Sequence, residues 1–312
     1  MPSSLLTVTF NPAVDKMIVI NDFRLGEDFR ADNIVLSAGG KGLNISRLLK
    51  NLGKKSTATG LLAGTTGAYI KKELQKEGIA HNFLKVGGET RTNLTVIDRK
   101  QRKITRILEQ GPGVSRKDVA RFKRKFASLL KRCDYVIFSG SLAPGLPDTI
   151  YADLISVTQE KNVKTVLDTS GRPLLLGLRA KPFLIKPNIK EAEFVLGYRL
   201  NSMTRIKGAV RYFLRHGIKT VLISMGAVGT VASQGEEILF AMPPVLKCLN
   251  NVGCGDALVA GFIFASLRKF SFKESLRFAV ACGAANTQNL IPGFVKPAVI
   301  KRLTKKTKIR EV

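Results

Sequence analysis

Residues Asn250–Gly261 read NNVGCGDALVAG, a glycine-rich turn followed at once by an apolar helical run. Glycines let backbone N–H groups converge on an anion, and the start of a helix adds the positive end of its dipole. We therefore predict that this turn holds an anionic group. Asp256 is either an ordinary residue of a helix N-terminus or a carboxylate that orients and deprotonates an attacking hydroxyl. In both cases the helix dipole is expected to lower the pKa of Asp256.

A second glycine segment, SAGGKGLN at residues 37–44, also leads into a helical pattern. Gly39 and Gly40 permit close approach of the backbone, although a glycine pair alone is equally typical of a tight turn. Lys41 and Asn44 add a cation and an amide suited to a phosphorylated polyol. Neither segment matches the P-loop pattern G-x-x-x-x-G-K-[ST], so a nucleotide must be bound in another way.

Short β-branched runs alternate with helical patterns along the chain, which predicts a three-layer α/β fold with a central, mainly parallel sheet. One helical stretch carries Ile45, Leu48, Leu49 and Leu52 at helical spacing and ends at Gly53. The runs are TVTF near residue 7, TATGLLAG from residue 57, DYVIFSGS from 134, TVLDTS from 165, FLIKPN from 183 and TVLISMG from 220.

Two regions break this alternation. Met17–Ile20 with Ile34–Leu36, and Thr92–Ile97 with Ile104–Leu108, have the pattern of antiparallel strand pairs. They predict a small separate sheet, contributed by about residues 11–37 and 88–109. Because no low-complexity or Pro/Gly/Ser-rich linker interrupts the chain, we interpret residues 1–312 as a single domain with this sheet as an excursion.

The chain has 312 residues, 45% of them hydrophobic, which is enough to bury a core without disulfides or metals. Its 51 Lys and Arg against 23 Asp and Glu leave a net charge of +28, a field that attracts polyanions. Much of the excess lies in amphipathic helical stretches, such as residues 115–132, and in the tail from Lys301 to Arg310. We interpret it as a solvated face rather than a specific nucleic-acid surface, because no binding module is recognisable.

Cysteine and apolar patterns exclude several other classes. The four cysteines form no C-x-x-C pair and the two histidines are far from them, so neither a zinc site nor a disulfide framework is predicted. No apolar run approaches the ~20 residues that span a bilayer, and the N-terminus lacks a signal-peptide pattern. We therefore expect a cytoplasmic protein with no membrane partner.

The glycine segments together resemble the PfkB family, the ribokinase-like carbohydrate kinases, whose signatures are a Gly-Gly pair followed by Asn and a terminal Gly-Ala-Gly-Asp. Here they are GGKGLN and GCGD, so Cys254 replaces the usual alanine. The phosphosugar branch is indicated by ordered motifs along nearly the whole chain: NPAVD at 11–15, SGSL at 139–142, DTSG at 168–171, KPN at 186–188 with Glu191, and SMGAVG at 224–229.

This resemblance implies a ribokinase-like fold with a β-sheet lid that often forms a homodimer interface, and it implies roles for individual residues. Asp256 is similar to the family's catalytic base, beside an anion hole of Gly253, Cys254 and Gly255. The residues implied to bind substrate are Asp15, Gly39, Gly40, Lys41, Asn44, Arg91 and Ser139, with Arg91 clamping the sugar phosphate. Those implied to bind ATP are Lys186, Asn188, Glu191, Ser224, Gly226, Gly229, Gly283, Asn286 and Asn289, the last three near the adenine.

Asn188 and Glu191 are i, i+3 neighbours at the start of a helical segment. On its own such a pair is typical of a helix cap and a solvated acid. In the Lys-Pro-Asn-x-x-Glu context it resembles the family's site for Mg²⁺, bound through water.

The motif set favours an ATP-dependent kinase of a ketohexose phosphate. We rank fructose 1-phosphate first, with tagatose 6-phosphate and fructose 6-phosphate as alternatives. The alternative from another class is an inactive relative that binds nucleic acid or a partner through its basic surface.

Overall fold

The computed structural model describes residues 4–312, in which strands and helices alternate. In chain order the strands are β1 (Leu5–Thr9), β2 (Ala13–Ile20), β3 (Asn33–Gly39), β4 (Ser56–Ala63), β5 (Ala80–His81), β6 (Leu84–Val86), β7 (Arg91–Asp98), β8 (Lys103–Leu108), β9 (Tyr135–Ser139), β10 (Lys164–Asp168), β11 (Leu184–Ile185), β12 (Thr220–Ser224), β13 (Thr230–Gln234), β14 (Glu237–Met242) and β15 (Lys308–Glu311). The helices are α1 (Lys41–Asn51), α2 (Gly64–Lys76), α3 (Arg116–Leu129), α4 (Ile150–Gln159), α5 (Gly171–Leu178), α6 (Ile189–Leu196), α7 (Met203–Arg215), α8 (Cys254–Leu267), α9 (Phe272–Asn286) and α10 (Pro297–Lys306), with 3₁₀ turns at Leu130–Arg132 and Gly226–Val228.

The larger sheet has eleven strands within the described residues, in the order β15-β14-β13-β12-β11-β10-β9-β1-β4-β5, and β6 also pairs with β4. Pairing from β4 through β1, β9, β10 and β11 to β12 is parallel. Strands β13, β14 and β15 add an antiparallel edge. The predicted central, mainly parallel sheet is confirmed.

Helices cover both faces of this sheet, because successive strand residues point to opposite sides. In β1, Leu6 packs into a core shared with helices α3 to α7, whereas its neighbour Leu5 packs into a core shared with α1, α8, α9 and α10. Both leucines are 1% exposed. These two cores on either side of one sheet form the predicted three layers.

The parallel strands all end on one edge of the sheet, and polar residues collect there. Thr9, Ser139, Asp168 and Ser224 are the last residues of β1, β9, β10 and β12, and Lys186 follows β11 directly. In parallel α/β sheets, ligands bind outside this carboxyl edge. The edge therefore marks where a functional site is expected.

The smaller sheet has the order β3-β2-β7-β8 and lies apart from the larger one. The two predicted antiparallel pairs, β2 with β3 and β7 with β8, are joined by a parallel pairing of β2 with β7. One face of this sheet carries Asp15, Asn93 and Arg106 and contributes to a cavity. The predicted small sheet is thus confirmed, and the interpretation of residues 1–312 as one domain stays a prediction.

Local sequence explains where several helices begin. Asn188 with Glu191 forms a capping box at the start of α6, and Ser271 with Glu274 does so at α9. Helix α1 instead follows Gly40, whose φ of 127° lies in a region that side chains disfavour.

The basic C-terminal tail is divided between two elements. Residues Lys301 to Lys306 lie on helix α10, and Lys308–Glu311 forms β15 and pairs with β14. Strand β15 was not predicted. Alternating residues such as Ile309 and Arg310 support a strand, and the charged run concealed this pattern. No helix within residues 4–312 combines the length and apolar character needed to cross a membrane.

Candidate active site

A cavity of about 940 Å³ lies between the carboxyl edge of the larger sheet and the inner face of the smaller sheet. Its walls include the ends of β1, β10 and β12, the start of α8 and the inner residues of the small sheet. This volume lies near the upper end of the range that is typical of small-molecule sites. The cavity is the candidate active site.

The glycine-rich turn forms one wall. Gly253 has φ 77° and precedes helix α8, and a Cβ there would lie 2.5 Å from Cβ of Pro292, so a side chain would force the turn apart. Gly253, Cys254 and Gly255 all line the cavity. Because N–H groups of a first helical turn have no partner within the helix, this wall is suited to bind an anion.

The thiol of Cys254 is not the reactive feature of this turn. Burial raises its pKa to about 11, so it stays neutral at physiological pH. It accepts a weak hydrogen bond from Nδ2 of Asn286 at 3.6 Å. The replacement of the family's alanine by Cys254 therefore keeps a small, neutral side chain and leaves the backbone N–H available.

Asp256 lies in the first turn of α8 with its side chain almost enclosed, at 5% exposure. Its Oδ2 accepts a 2.8 Å hydrogen bond from Nδ2 of Asn44. Burial raises the pKa of Asp256 to about 6. The negative charge of Asp168 also raises this pKa, whereas Lys41 and the hydrogen bond from Asn44 lower it. The expected lowering by the helix dipole was therefore wrong, because desolvation dominates. A carboxyl with a pKa near 6 suits a general base at neutral pH.

Asp168 joins two lysines in the floor of the cavity. Its Oδ1 lies 3.0 Å from Nζ of Lys41 and 3.3 Å from Nζ of Lys186. Burial alone would raise the pKa of Asp168, but Lys186 and Lys41 outweigh it and hold the pKa below its ordinary value. Its Oδ2 is buried and has no hydrogen-bond partner among residues 4–312. DTSG at 168–171 was noted as a motif of the phosphosugar branch, but no role was predicted for the carboxylate of Asp168, because its two lysine partners are distant in the sequence.

The inner face of the small sheet supplies polar groups from above. Oδ1 of Asp15 accepts a 3.0 Å hydrogen bond from Nδ2 of Asn93 on the neighbouring strand. Burial raises the pKa of Asp15, and Asn93, Arg106 and Arg91 oppose that shift. Oδ1 of Asn93 is buried without a partner among the described residues. These polar groups have few or no hydrogen-bond partners among the described residues, so they are suited to bind hydroxyls.

Arg91 and Arg106 both line the cavity but differ in how far their guanidinium groups are already used. Arg91 donates from Nη1 to the carbonyl oxygen of Glu109 at 3.0 Å and from Nη2 to that of Asn11 at 2.9 Å. The guanidinium of Arg106 forms no hydrogen bond or ion pair with any residue between 4 and 312, although its charge lowers the pKa of Asp15. Arg106 was not predicted, because a polar turn and an exposed strand give it the pattern of a surface residue.

The nucleotide-side residues predicted from the sequence also border the cavity. They are Lys186, Asn188, Glu191, Ser224, Gly226, Gly229 and Gly283. Gly283 lies against the start of α8, where a Cβ would approach the carbonyl oxygen of Cys254 to 3.2 Å. Asn188 and Ser224 form an isolated parallel bridge between their segments.

Asn188 and Glu191 use part of their hydrogen-bonding capacity in the cap at the start of α6. Oδ1 of Asn188 accepts from the N–H of Glu191 at 2.9 Å, and Oε2 of Glu191 accepts from the N–H of Asn188 at 2.8 Å. Oε1 of Glu191 remains for a ligand, and no cluster of three or more His, Cys, Asp or Glu able to hold a metal occurs in residues 4–312. This set fits a Mg²⁺ that keeps waters and phosphate oxygens as ligands, and it does not fit a dedicated protein cage.

Four predicted residues are not brought to the cavity wall. Gly39 lies beneath the carboxylate of Asp15, which occupies the space a side chain would need. Ser139 is fully buried, and its hydroxyl has no hydrogen-bond partner among the described residues. Asn289 donates to the carbonyl oxygen of Ala285 at 3.1 Å.

Asn286, the fourth, holds the glycine-rich turn instead. Its Nδ2 donates to the carbonyl oxygen of Val252 at 2.7 Å, and its Oδ1 accepts from the N–H of Gly293 at 2.8 Å. Both contacts tie α9 to the loops on either side of the anion-binding wall. Asn286 therefore supports the glycine-rich turn, and its place near the adenine stays a prediction.

The chain is similar to known proteins along nearly its whole length. Residues 8–297 match the pfkB family of carbohydrate kinases. The chain is 33% identical over 311 residues to a tagatose-6-phosphate kinase of Staphylococcus epidermidis, covering 99% of this chain and all of that protein. It is 36% identical over 282 residues to a 1-phosphofructokinase of Borreliella burgdorferi, covering 90% and 91%. A solved structure described as a possible 1-phosphofructokinase from Thermotoga maritima superposes with a TM-score of 0.92 at 29% identity, covering 99% of both chains.

The fold and these relatives define a sugar-phosphorylating transferase with a ribokinase-like architecture. The chain belongs to the PfkB family of carbohydrate kinases.

Proposed function

We propose that the protein transfers the γ-phosphate of ATP to a hydroxyl of a ketohexose phosphate, with fructose 1-phosphate as its preferred acceptor and fructose 1,6-bisphosphate as product. The observation that carries this proposal is one cavity with an anion-binding helix start at one wall and guanidinium groups at another. The first suits the phosphate in transfer, and the second suits a phosphate that the acceptor already carries. A relative named 1-phosphofructokinase, at 36% identity, supports the ranking.

The chemistry assigned to the residues is a direct in-line displacement. Asp256 accepts the proton of the acceptor hydroxyl, whose oxygen forms a bond to the γ-phosphorus as the bond to the β,γ-bridging oxygen breaks. Backbone N–H groups of the glycine-rich turn and Nζ of Lys41 and Lys186 stabilise the charge that spreads over the transferred phosphoryl group. Asn188 and Glu191 would hold Mg²⁺ through water, and this ion would neutralise the triphosphate.

The choice among acceptors is tested by steady-state kinetics with Mg-ATP. We expect the highest kcat/KM for fructose 1-phosphate, and lower values for tagatose 6-phosphate and fructose 6-phosphate. A tenfold preference for either 6-phosphate would overturn the ranking and leave the kinase assignment intact.

Replacing Arg106 should weaken binding of the sugar phosphate selectively. Its guanidinium is the one at this wall with no partner in the described chain, and a paired contact to phosphate is worth on the order of 2–5 kcal/mol. Arg106→Ala should raise the KM for the ketohexose phosphate at least about tenfold while that for ATP changes less than about twofold. Lys103→Ala, on the same strand but outside the cavity lining, is the matched control for lost charge. Equal KM values for Arg106→Ala and the control would refute this role.

We retain the predicted contact of Arg91 with the sugar phosphate, and we propose that Arg91 also stabilises the fold. Because Arg91 bridges the carbonyl oxygens of Asn11 and Glu109, its replacement by lysine should lower stability as well as raise the KM of the sugar phosphate. Thermal unfolding of Arg91→Lys beside Arg106→Ala separates the two effects. A Tm unchanged in Arg91→Lys would contradict the bridging role.

We also propose that two copies pair through the outer face of the small sheet. Ile34, Leu36 and Ile107 are 52%, 47% and 59% exposed there, and they share the face opposite to Asp15. An apolar sheet face of this kind is commonly covered by a second copy. Sedimentation of a monomer at micromolar concentration would contradict the dimer.

The remaining basic surface is proposed to be solvated and not a specific nucleic-acid site, and the protein to act in the cytoplasm. Salt-resistant, sequence-selective DNA binding would revive the nucleic-acid alternative.

A further inference from the structure

Arg47 is the largest fully buried side chain in the described part of the chain, at 1% exposure, and its guanidinium uses all five N–H donors. Nε and Nη2 donate to the two carboxylate oxygens of Glu77 at 2.8 and 2.9 Å. Nη2 also donates to the carbonyl oxygen of Ala38 at 2.7 Å, and Nη1 to that of Pro292 at 2.9 Å. A buried arginine is rare unless every donor has a hydrogen-bond partner, so we interpret this arrangement as a specific feature of the fold.

The fifth bond leads to the reaction centre. Nη1 of Arg47 donates to Oδ1 of Asn44 at 3.1 Å, and Nδ2 of the same amide donates to Oδ2 of Asp256 at 2.8 Å. Arginine can only donate, and an ionised carboxylate can only accept. The amide of Asn44 therefore satisfies both neighbours in one orientation only. With the amide reversed, its NH₂ would face the guanidinium and its oxygen would face the carboxylate.

We infer that Arg47 is a positioning residue that, by fixing the amide of Asn44, holds the Asp256 carboxylate in its hydrogen-bonded orientation toward the acceptor. This inference rests on the proposed role of Asp256. Arg47 itself does not line the cavity, so it acts through Asn44 and not on the substrate.

The other bonds of Arg47 link this orientation to the surrounding segments. Ala38 lies at the end of β3, one strand of the small sheet, and Pro292 belongs to the loop after α9. Gly293 next to it is packed so closely that a Cβ would lie 2.7 Å from the carbonyl oxygen of Asn44. The same guanidinium thus fixes the small sheet, the loop after α9 and the amide beside Asp256 relative to one another.

Loss of this arrangement should appear in the pH dependence of the reaction. The charged groups that face Asp256 are Lys41, Asp168 and Lys186, and the hydrogen bond from Asn44 lowers the pKa of Asp256 against its burial. Without that bond, the carboxyl of Asp256 keeps its proton to higher pH, so the ionised form needed for catalysis appears only at higher pH. The pKa of Asp256 predicts an acidic limb of kcat/KM near pH 6 for the native enzyme, and in the variants this limb should move upward by about one pH unit.

The test uses the full-length enzyme with Mg-ATP and fructose 1-phosphate. Arg47→Met combined with Glu77→Gln removes the cation without leaving the Glu77 carboxylate unpaired, and Glu77→Gln alone is its control. Arg47→Lys is a second variant, which keeps a cation against Glu77 but has three donors for five acceptors. Circular dichroism establishes which variants are folded.

We expect the upward shift of the limb in every folded Arg47 variant and in Asn44→Ala, with activity partly regained at high pH. The shift in a triple variant carrying Asn44→Ala as well should equal that of Asn44→Ala alone, because both substitutions remove the same bond. A folded Arg47 variant that loses activity equally at all pH values, with its limb still near pH 6, would overturn the inference. Asp256→Asn tests the proposed base separately from the role of Arg47. Near-normal turnover of that variant would refute Asp256 as the base.

Discussion

Asp256→Asn should fold, bind ATP with near-native affinity and lose about two to four orders of magnitude in turnover, the usual contribution of a general base. The substituted side chain keeps the shape of the carboxylate and an oxygen that still accepts from Asn44. It cannot take a proton from the acceptor hydroxyl. Steady-state turnover, together with calorimetric titration of ATP, measures both properties in one variant.

The matched control for this substitution is Asp153→Asn. Asp153 is a half-buried carboxylate on α4 that pairs with the exposed Lys123, and pairs near the surface contribute little. It should retain native turnover. If Asp256→Asn also kept turnover within tenfold of the native enzyme, Asp256 would be a supporting residue of the helix start.

The second large effect is on stability. Asp168 is the only carboxylate in the described chain that forms an ion pair with Lys186, whose side chain is 4% exposed. Asp168→Asn would leave this ammonium buried without its counter-charge, which costs about 3–5 kcal/mol in proteins. Lys41 is 34% exposed and can turn to solvent, so we assign the cost to Lys186. Urea unfolding of the ATP-free protein should show a lower midpoint with an unchanged slope.

Mg-ATP should restore part of this loss, because its phosphates replace the missing negative charge and bind only to the folded chain. Asp153→Asn again serves as the control and should change the free energy of unfolding by less than about 0.5 kcal/mol. An Asp168→Asn midpoint equal to the control would mean that Lys186 finds another partner.

Sequence patterns predicted the parts of the fold that depend on long periodic signals. Buried runs such as TVLIS at 220–224 are confirmed as parallel strands, and the two antiparallel excursions are confirmed as one small sheet. Strands β13, β14 and β15 were not predicted. Their short alternating runs lie beside charged turns or within the basic tail, where local pattern does not separate an edge strand from a loop.

Residues next to glycines could be predicted for the site, and those whose role depends on distant contacts could not. Gly253 to Gly255 and Asp256 carry a local signal, and all of them line the cavity. Asp168 and Arg47 obtain their roles from partners far away in the sequence, for example 245 positions between Arg47 and Pro292. Arg106 reaches the cavity only because its strand pairs with β7. The place of Asn286 near the adenine, implied by the resemblance, stays a prediction, and its hydrogen bonds to the glycine-rich turn and to Gly293 could not be read from the sequence.

The pKa of Asp256 illustrates why the energetics needed the structure. A helix start favours the ionised form, but the strength of desolvation depends on how many neighbouring segments enclose the carboxyl. At 5% exposure, burial outweighs the dipole and raises the pKa to about 6. The residue type and position were visible in the sequence, and the sign of the shift was not.

The central claim is tested most directly by following the γ-phosphate of labelled Mg-ATP in the presence of fructose 1-phosphate. We predict that the label appears in fructose 1,6-bisphosphate, with one ADP formed for each bisphosphate and no label retained on the protein. Label released as inorganic phosphate at a rate independent of any ketohexose phosphate, or bound covalently to the chain, would contradict direct transfer within this cavity.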